Sequence, residues 1–163
     1  MKKVLTITAL LLCFLTQAQG TLEPSKIQLN GGFASSGWDN PIYFGADYGL
    51  QNNFTIGAEV SFQTYKSFGV KSTIIGLQAN GNYHFNEILE LPEEWDLYGG
   101  LSLNYYYWNA DVDGGLDFVD DESFGVGAQI GGRYFFNDKF GINLEIGGGN
   151  ATSGGKIGVT YKL

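Results

Sequence analysis

Apolar residues recur at every second position in eight separate runs, and a chain patterned this way has little choice but to form sheet. The runs are Ile27-Leu29-Gly31-Phe33, Ile42-Phe44-Ala46-Tyr48-Leu50, Phe54-Ile56-Ala58-Val60-Phe62 and Ile75-Leu77-Ala79-Gly81-Tyr83-Phe85. They continue as Leu97-Gly99-Leu101-Leu103-Tyr105-Tyr107, Phe124-Val126-Ala128-Ile130-Gly132-Tyr134-Phe136, Phe140-Ile142-Leu144-Ile146 and Ile157-Val159-Tyr161-Leu163. Turn signals separate them: Ser36-Gly37 through Asn40-Pro41, Gln51-Asn52-Asn53, Asn137-Asp138-Lys139, and Thr152 to Gly155. No helical period intervenes, so the strands should meander antiparallel within one domain. The high aromatic share, 15%, excludes a disordered tail. With Cys13 as the only cysteine a disulfide scaffold is excluded too. Nucleic acid is an unsuitable partner, because 17 acidic residues outweigh 9 basic ones.

Alternation does not say which face meets water, but the composition of the polar face does. A surface in water is normally rich in Lys and Glu. Here the polar positions read Gln28-Asn30-Gly32, Gly57-Glu59-Ser61, Gly125-Gly127-Gln129-Gly131-Arg133 and Gly141-Asn143-Glu145-Gly147. Small and amide residues with an occasional charge suit the crowded interior of an eight-stranded barrel. The apolar face carries no charge along any strand centre, where Lys or Arg facing a bilayer would cost about 2–4 kcal/mol. Aromatic residues gather near strand ends (Phe54, Phe62, Tyr83, Phe85, Tyr134, Phe136, Phe140, Tyr161), as girdles at two water–lipid interfaces would. The fold class that follows is all-β, an eight-stranded antiparallel up-and-down transmembrane β-barrel. In hydrocarbon an unpaired backbone group costs several kcal/mol, so the last strand should pair with the first.

The amino-terminal segment reads as an export address. Lys2-Lys3 precede an apolar run from Val4 to Leu15, followed by Thr16-Gln17-Ala18. The expected division is a signal peptide over 1–18, cut after Ala18, and a barrel domain over 19–163. A lipid anchor on Cys13 is disfavoured, because Leu12 stands where a small residue is needed.

The final strand, Lys156-Ile157-Gly158-Val159-Thr160-Tyr161-Lys162-Leu163, carries a family resemblance. With the signal peptide and the eight runs, it resembles the small outer-membrane β-barrel proteins of the OmpA/OmpX type, the porin-family β-barrel domains. Lys156, Gly158, Tyr161 and Leu163 fill the places of that family's carboxy-terminal assembly signal, with Leu where an aromatic residue usually ends the chain. The segment Tyr83-His84-Phe85-Asn86 through Trp95-Asp96-Leu97-Tyr98-Gly99-Gly100 is similar to that group as well. The resemblance implies an integral outer-membrane protein, inserted by the outer-membrane assembly machinery, surrounded by membrane lipids and monomeric. It also implies that both termini lie in the periplasm. Connections near 35–41, 64–72, 109–122 and 150–155 would then face outward, and those near 51–53, 86–96 and 137–139 inward. In the long inward turn, Asn86 is expected to cap a short helical turn carrying Ile88, Leu89 and Leu91, with Pro92 ending it and Trp95 anchoring at the interface.

Charged residues of the polar face should form an ionic network in the lumen. Arg133 lies opposite Asn143 and diagonal to Glu145, Lys156 approaches Glu145 from the other neighbour, and Asp47 and Glu59 can join from across the bore. In the connection 109–122, Asn109, Asp111, Asp113, Asp117 and Asp120 approach the spacing of a calcium loop. That loop lacks flanking helices, and the competing reading is a solvated acidic loop available to an extracellular partner. His84 stands near an inward turn with no Gly-x-Ser-x-Gly elbow in the chain, so neither a catalytic site nor a cofactor is expected. The favoured function is a non-enzymatic structural or surface-interaction barrel. The alternatives are a narrow passive pore, a lipid-modifying outer-membrane enzyme and a soluble lipocalin-like ligand-binding barrel.

Overall fold

The computed structural model describes residues 22–36, 40–67, 70–112, 119–150 and 153–163. Eight strands occur in chain order: β1 Ile27–Ser36, β2 Ile42–Gln51, β3 Phe54–Ser67, β4 Val70–His84, β5 Trp95–Val112, β6 Val119–Phe135, β7 Phe140–Gly149 and β8 Ser153–Lys162. Each pairs antiparallel with the next, and β8 returns to β1 from Gln28↔Lys162 to Ser36↔Gly154, closing the barrel. Closure leaves no sheet edge around the belt, which hydrocarbon requires.

The side-chain period sorts residues to opposite faces, and the faces are inverted relative to a protein folded in water. Phe33 and Leu101 are 66% and 68% exposed on the outside, whereas Gln28, His84 and Thr160 are fully buried inside. A soluble barrel would bury the first set and expose the second. Aromatic contacts gather at one rim, where Tyr83 lies edge-on to Phe54 and Phe85, and Tyr134 to Trp95 and Phe136. Short local signals fix the turns at this rim. Asn137 Oδ1 accepts from the N–H groups of Lys139 and Phe140, and Gln51↔Phe54 closes around Asn52-Asn53. Residues 22–26 fold back across the same rim: Ser25 N–H donates to the Gly49 carbonyl and Leu22 is buried.

At this rim Asn86–Leu89 form a single helical turn, α1. Its N-cap is Phe85, without a side-chain cap bond, so Asn86 is not the cap that the sequence suggests. Asn86 instead ties α1 to β5: its Nδ2 donates to the Trp95 carbonyl and its Oδ1 accepts from Leu97 N–H. Glu90, in the left-handed conformation, ends the turn.

The opposite, far rim is uneven. Strands β1, β2, β7 and β8 have 10 residues each, the length that spans a bilayer with tilt. Strands β3 to β6 run to 14, 15, 18 and 17 residues. Most of the connections expected over 64–72 and 109–122 is therefore strand, with Thr64↔Thr73, Ser67↔Val70, Asn109↔Asp120 and Ala110↔Val119 in register. The hydrophobic alternation of the sequence lapses here while backbone pairing continues. Periodicity is blind to such strand.

Candidate functional site: the lumen network

Glycines on the inner face create the space in which the lumen network forms. Tyr98, Gly131 and Glu145 lie in one cross-strand row, and Tyr98 OH reaches over the glycine to donate to Glu145 Oε2 at 2.9 Å. A Cβ on Gly131 would collide with the Tyr98 ring. Asn82, Gly100 and Gln129 repeat the device, with Gln129 Nε2 donating to Asn82 Oδ1 at 2.9 Å. Tyr43, Gly32, Gly158 and Asn143 form a longer row, in which Asn143 Nδ2 donates to Tyr43 OH at 2.8 Å across both glycines. In these rows the space left by the glycines is occupied by a neighbour's longer side chain, which fills this part of the bore.

Two ionic layers close it. Near the short-turn rim, Arg133 Nη2 meets Asp47 Oδ2 at 2.6 Å and Nη1 meets Asp96 Oδ2 at 3.0 Å. The Gln28 carbonyl oxygen accepts from Arg133 Nε at 3.1 Å, and Asn30 Nδ2 donates to Asp47 at 2.9 Å. The guanidinium lies 4.4 Å over the Tyr98 ring. Arg133, Asp47 and Asp96 are at most 5% exposed, so the guanidinium and its hydrogen bonds must offset the desolvation of two carboxylates. Toward the far rim, Lys156 Nζ contacts Glu59 at 2.8 Å and Glu145 at 3.0 Å and donates to Gln78 Oε1 at 3.3 Å. Tyr98 belongs to both layers, stacked under Arg133 and bonded to Glu145.

The sequence-named residues Asp47, Glu59, Arg133, Glu145 and Lys156 all point into this bore, but their pairing differs in one respect. Arg133 makes its ion pairs with Asp47 and Asp96, not with the diagonal Glu145. Asp96 stands directly opposite Arg133 in the β5–β6 ladder, a register that no tight turn specifies. Sequence reasoning placed Asp96 in a turn and so missed it, together with Tyr98; Gln28 and Asn30 were placed on the lumen face without their part in the network. Parity with Leu97 would have turned Asp96 inward.

His84 belongs to the same cluster. Its Nδ1 bonds Asp96 Oδ1 at 2.7 Å, and its Nε2 shares a hydrogen bond with Thr55 Oγ1 at 3.0 Å. Hydroxyl, imidazole and carboxylate in series is the arrangement of a hydrolytic triad. All three are 2% exposed or less, and neither Thr55 nor His84 lines any of the three principal cavities. The three groups tie β3, β4 and β5 together on the lumen side of the wall.

In the acidic segment Asn109 and Asp111 belong to β5 and Asp120 to β6, with Asn109 opposite Asp120 in the ladder. Asp113 and Asp117 fall outside the described residues, as does the whole segment expected to be a signal peptide, and no group of three metal-binding side chains occurs among the described residues. Of the carboxy-terminal residues, Lys156 and Gly158 face the lumen, whereas Tyr161 and Leu163 face outward at the short-turn rim. Leu163 N–H donates to the Ile27 carbonyl and so extends the closing ladder.

An apolar belt around a closed, polar, internally paired bore defines a transmembrane β-barrel. Residues 6–162 match the family described as outer membrane protein beta-barrel domain, and the chain belongs to that family. It is an integral protein of the outer membrane. No curated protein matches the chain. Among solved structures it is similar to OprG of Pseudomonas aeruginosa (13% identity, 89% of this chain and 99% of that one, TM-score 0.64). The amino-terminal barrel domain of OprF from the same organism is similar too (14% identity, 87% and 100%, TM-score 0.60). Ail, the attachment invasion locus protein of Yersinia pestis, follows (13% identity, 87% and 100%, TM-score 0.55). At these identities the likeness is one of fold.

Proposed function

We propose that this chain is a non-enzymatic surface-interaction barrel, anchored by its lipid-facing belt and acting through its far rim. The observation that carries the reading is the contrast between a bore crossed by two layers of ion pairs, the Arg133 layer fully buried, and a wall, β3 to β6, that rises beyond the belt. A pore needs an open bore, and an enzyme needs a cavity beside its reactive groups. Both ionic layers cross the bore, and Thr55, His84 and Asp96 line none of the three principal cavities. The far rim faces outward and the termini face the periplasm, where the assembly machinery reads Lys156, Gly158, Tyr161 and Leu163. The barrel works as a monomer, since the apolar belt is satisfied by lipid alone.

The partner is expected to be basic. The connection at 109–122 carries Asp111, Asp113, Asp117, Asp120, Asp121 and Glu122. A field of that sign attracts cations and repels sulfated glycans. Ail, which shares the fold, has been seen with the heparin analogue sucrose octasulfate, so a polyanion is the ligand to compare against. The test uses the full barrel in lipid nanodiscs with an oligolysine peptide and with sucrose octasulfate. Salt-sensitive binding of the peptide alone, abolished when the six acids become amides, is the expected result. Unchanged binding in the amide variant, or preference for the polyanion, would overturn the reading.

A further inference from the structure

We propose that the far-rim half of the lumen is a binding site for a small organic ammonium ion of the alkylammonium class, an activity separate from the surface role. A cavity of about 110 Å³ lies above the Lys156 layer, lined among others by Tyr43, Gln63, Ile74, Tyr106, Gln129 and Lys156. It reaches the far-rim ends of β1, β7 and β8, where Ser35, Gly149 and Ser153 form its edge.

The site presents acceptors. Gln63 Oε1 and Gln129 Oε1 are buried without a hydrogen-bond partner, in residues 7% and 8% exposed. The orientation of Gln129 is set by its Nε2, which donates to Asn82 Oδ1. The ammonium of Lys156, the cation at the floor, already spends its three protons on Glu59, Glu145 and Gln78. Two carboxylates against one ammonium leave that floor with a formal charge of −1. Unpaired buried acceptors and net negative charge call for a cationic donor. Ile74, 3% exposed, and the Tyr106 ring supply an apolar wall for an alkyl chain. Size completes the selection: a cavity of about 150 Å³ accommodates benzene, so this one takes roughly four or five heavy atoms. Anions meet the wrong sign, and neutral alcohols of the same length leave the floor charge uncompensated.

The test is a titration of the full chain in nanodiscs with propylammonium chloride at ionic strength held constant with KCl, read from the Ile74 methyl resonance. Saturable shifts in the millimolar range or tighter are expected, weakened about tenfold by Gln129→Leu and by Gln63→Leu. Retained heat-dependent gel mobility shows that each variant is folded. Calorimetry on the unsubstituted chain should return the same affinity and guards against a probe artefact. Shifts that never saturate, 1-propanol binding as tightly as propylammonium, or wild-type affinity in both glutamine variants would overturn the proposal, since water alone would then satisfy the two amides.

Discussion

Replacing Arg133 by Ala removes the one guanidinium that Asp47 and Asp96 share, and leaves two buried carboxylates without their common cation. Both carboxylates are at most 5% exposed, and both lose a contact of 3.0 Å or less. Breaking one partner of a buried pair costs about 3–5 kcal/mol. The face of Tyr98, 4.4 Å from the guanidinium, adds a contact of up to about 2 kcal/mol when desolvated. A total loss of about 4–6 kcal/mol is expected, a large part of the roughly 5–15 kcal/mol that holds a typical domain together. Leu144→Ala is the control. Leu144 is 60% exposed on the outer face, where lipid replaces whatever is removed, and the expected loss is under about 1 kcal/mol. Urea unfolding from lipid vesicles, followed by tryptophan fluorescence, measures both. Asp96→Asn, alone and combined with Arg133→Ala, completes a cycle whose coupling should exceed about 1 kcal/mol. Equal losses for Arg133→Ala and Leu144→Ala, or no coupling in the cycle, would refute the reasoning.

Gly131→Ala introduces a methyl group where the Tyr98 ring crosses to Glu145, and should cost about 1–3 kcal/mol in the same titration, whereas Gly81→Ala, with open space around its Cβ, should cost less than 1. In planar bilayers the wild-type barrel should show no resolved conductance steps. Lys156→Ala, which opens the far-rim layer alone, should stay silent because the Arg133 layer still closes the bore. Steps in the wild type would contradict the sealed lumen. His84→Ala should leave membrane lipids, analysed by mass spectrometry after overexpression, as unchanged as the wild type does. A wild-type-specific change in acyl composition would restore the enzymatic alternative.

The belt and the inner face were legible in the sequence because lipid imposes a rule on every residue between the girdles. An odd-numbered Leu103 must face outward once Ser102 faces in, and one misplaced charge would be costly. Above the far rim that rule stops, and Thr64 or Asn109 carries no sign of lying in strand. Local turns transmit register, so the Asn137–Lys139 turn placed Arg133 against Asn143 correctly. The β5–β6 ladder has no such marker, and the pairing of Arg133 with Asp96 depended on it. Contacts across the bore, such as Lys156 to Glu59, arise from closure of the whole barrel and have no local signature at all. The fold-back of residues 22–26 over the short-turn rim is similarly silent, since Leu22 belongs to no alternating run that would mark it as buried.

Spin labels placed at neighbouring positions, Leu103 and Ser102 on β5 and Ile142 and Asn143 on β7, test the orientation of the wall most directly. In lipid bilayers the labels at Leu103 and Ile142 should relax with dissolved oxygen and ignore a water-soluble nickel chelate, while those at Ser102 and Asn143 should be shielded from oxygen. Oxygen contact at Ser102 and Asn143, with Leu103 and Ile142 shielded, would contradict the account.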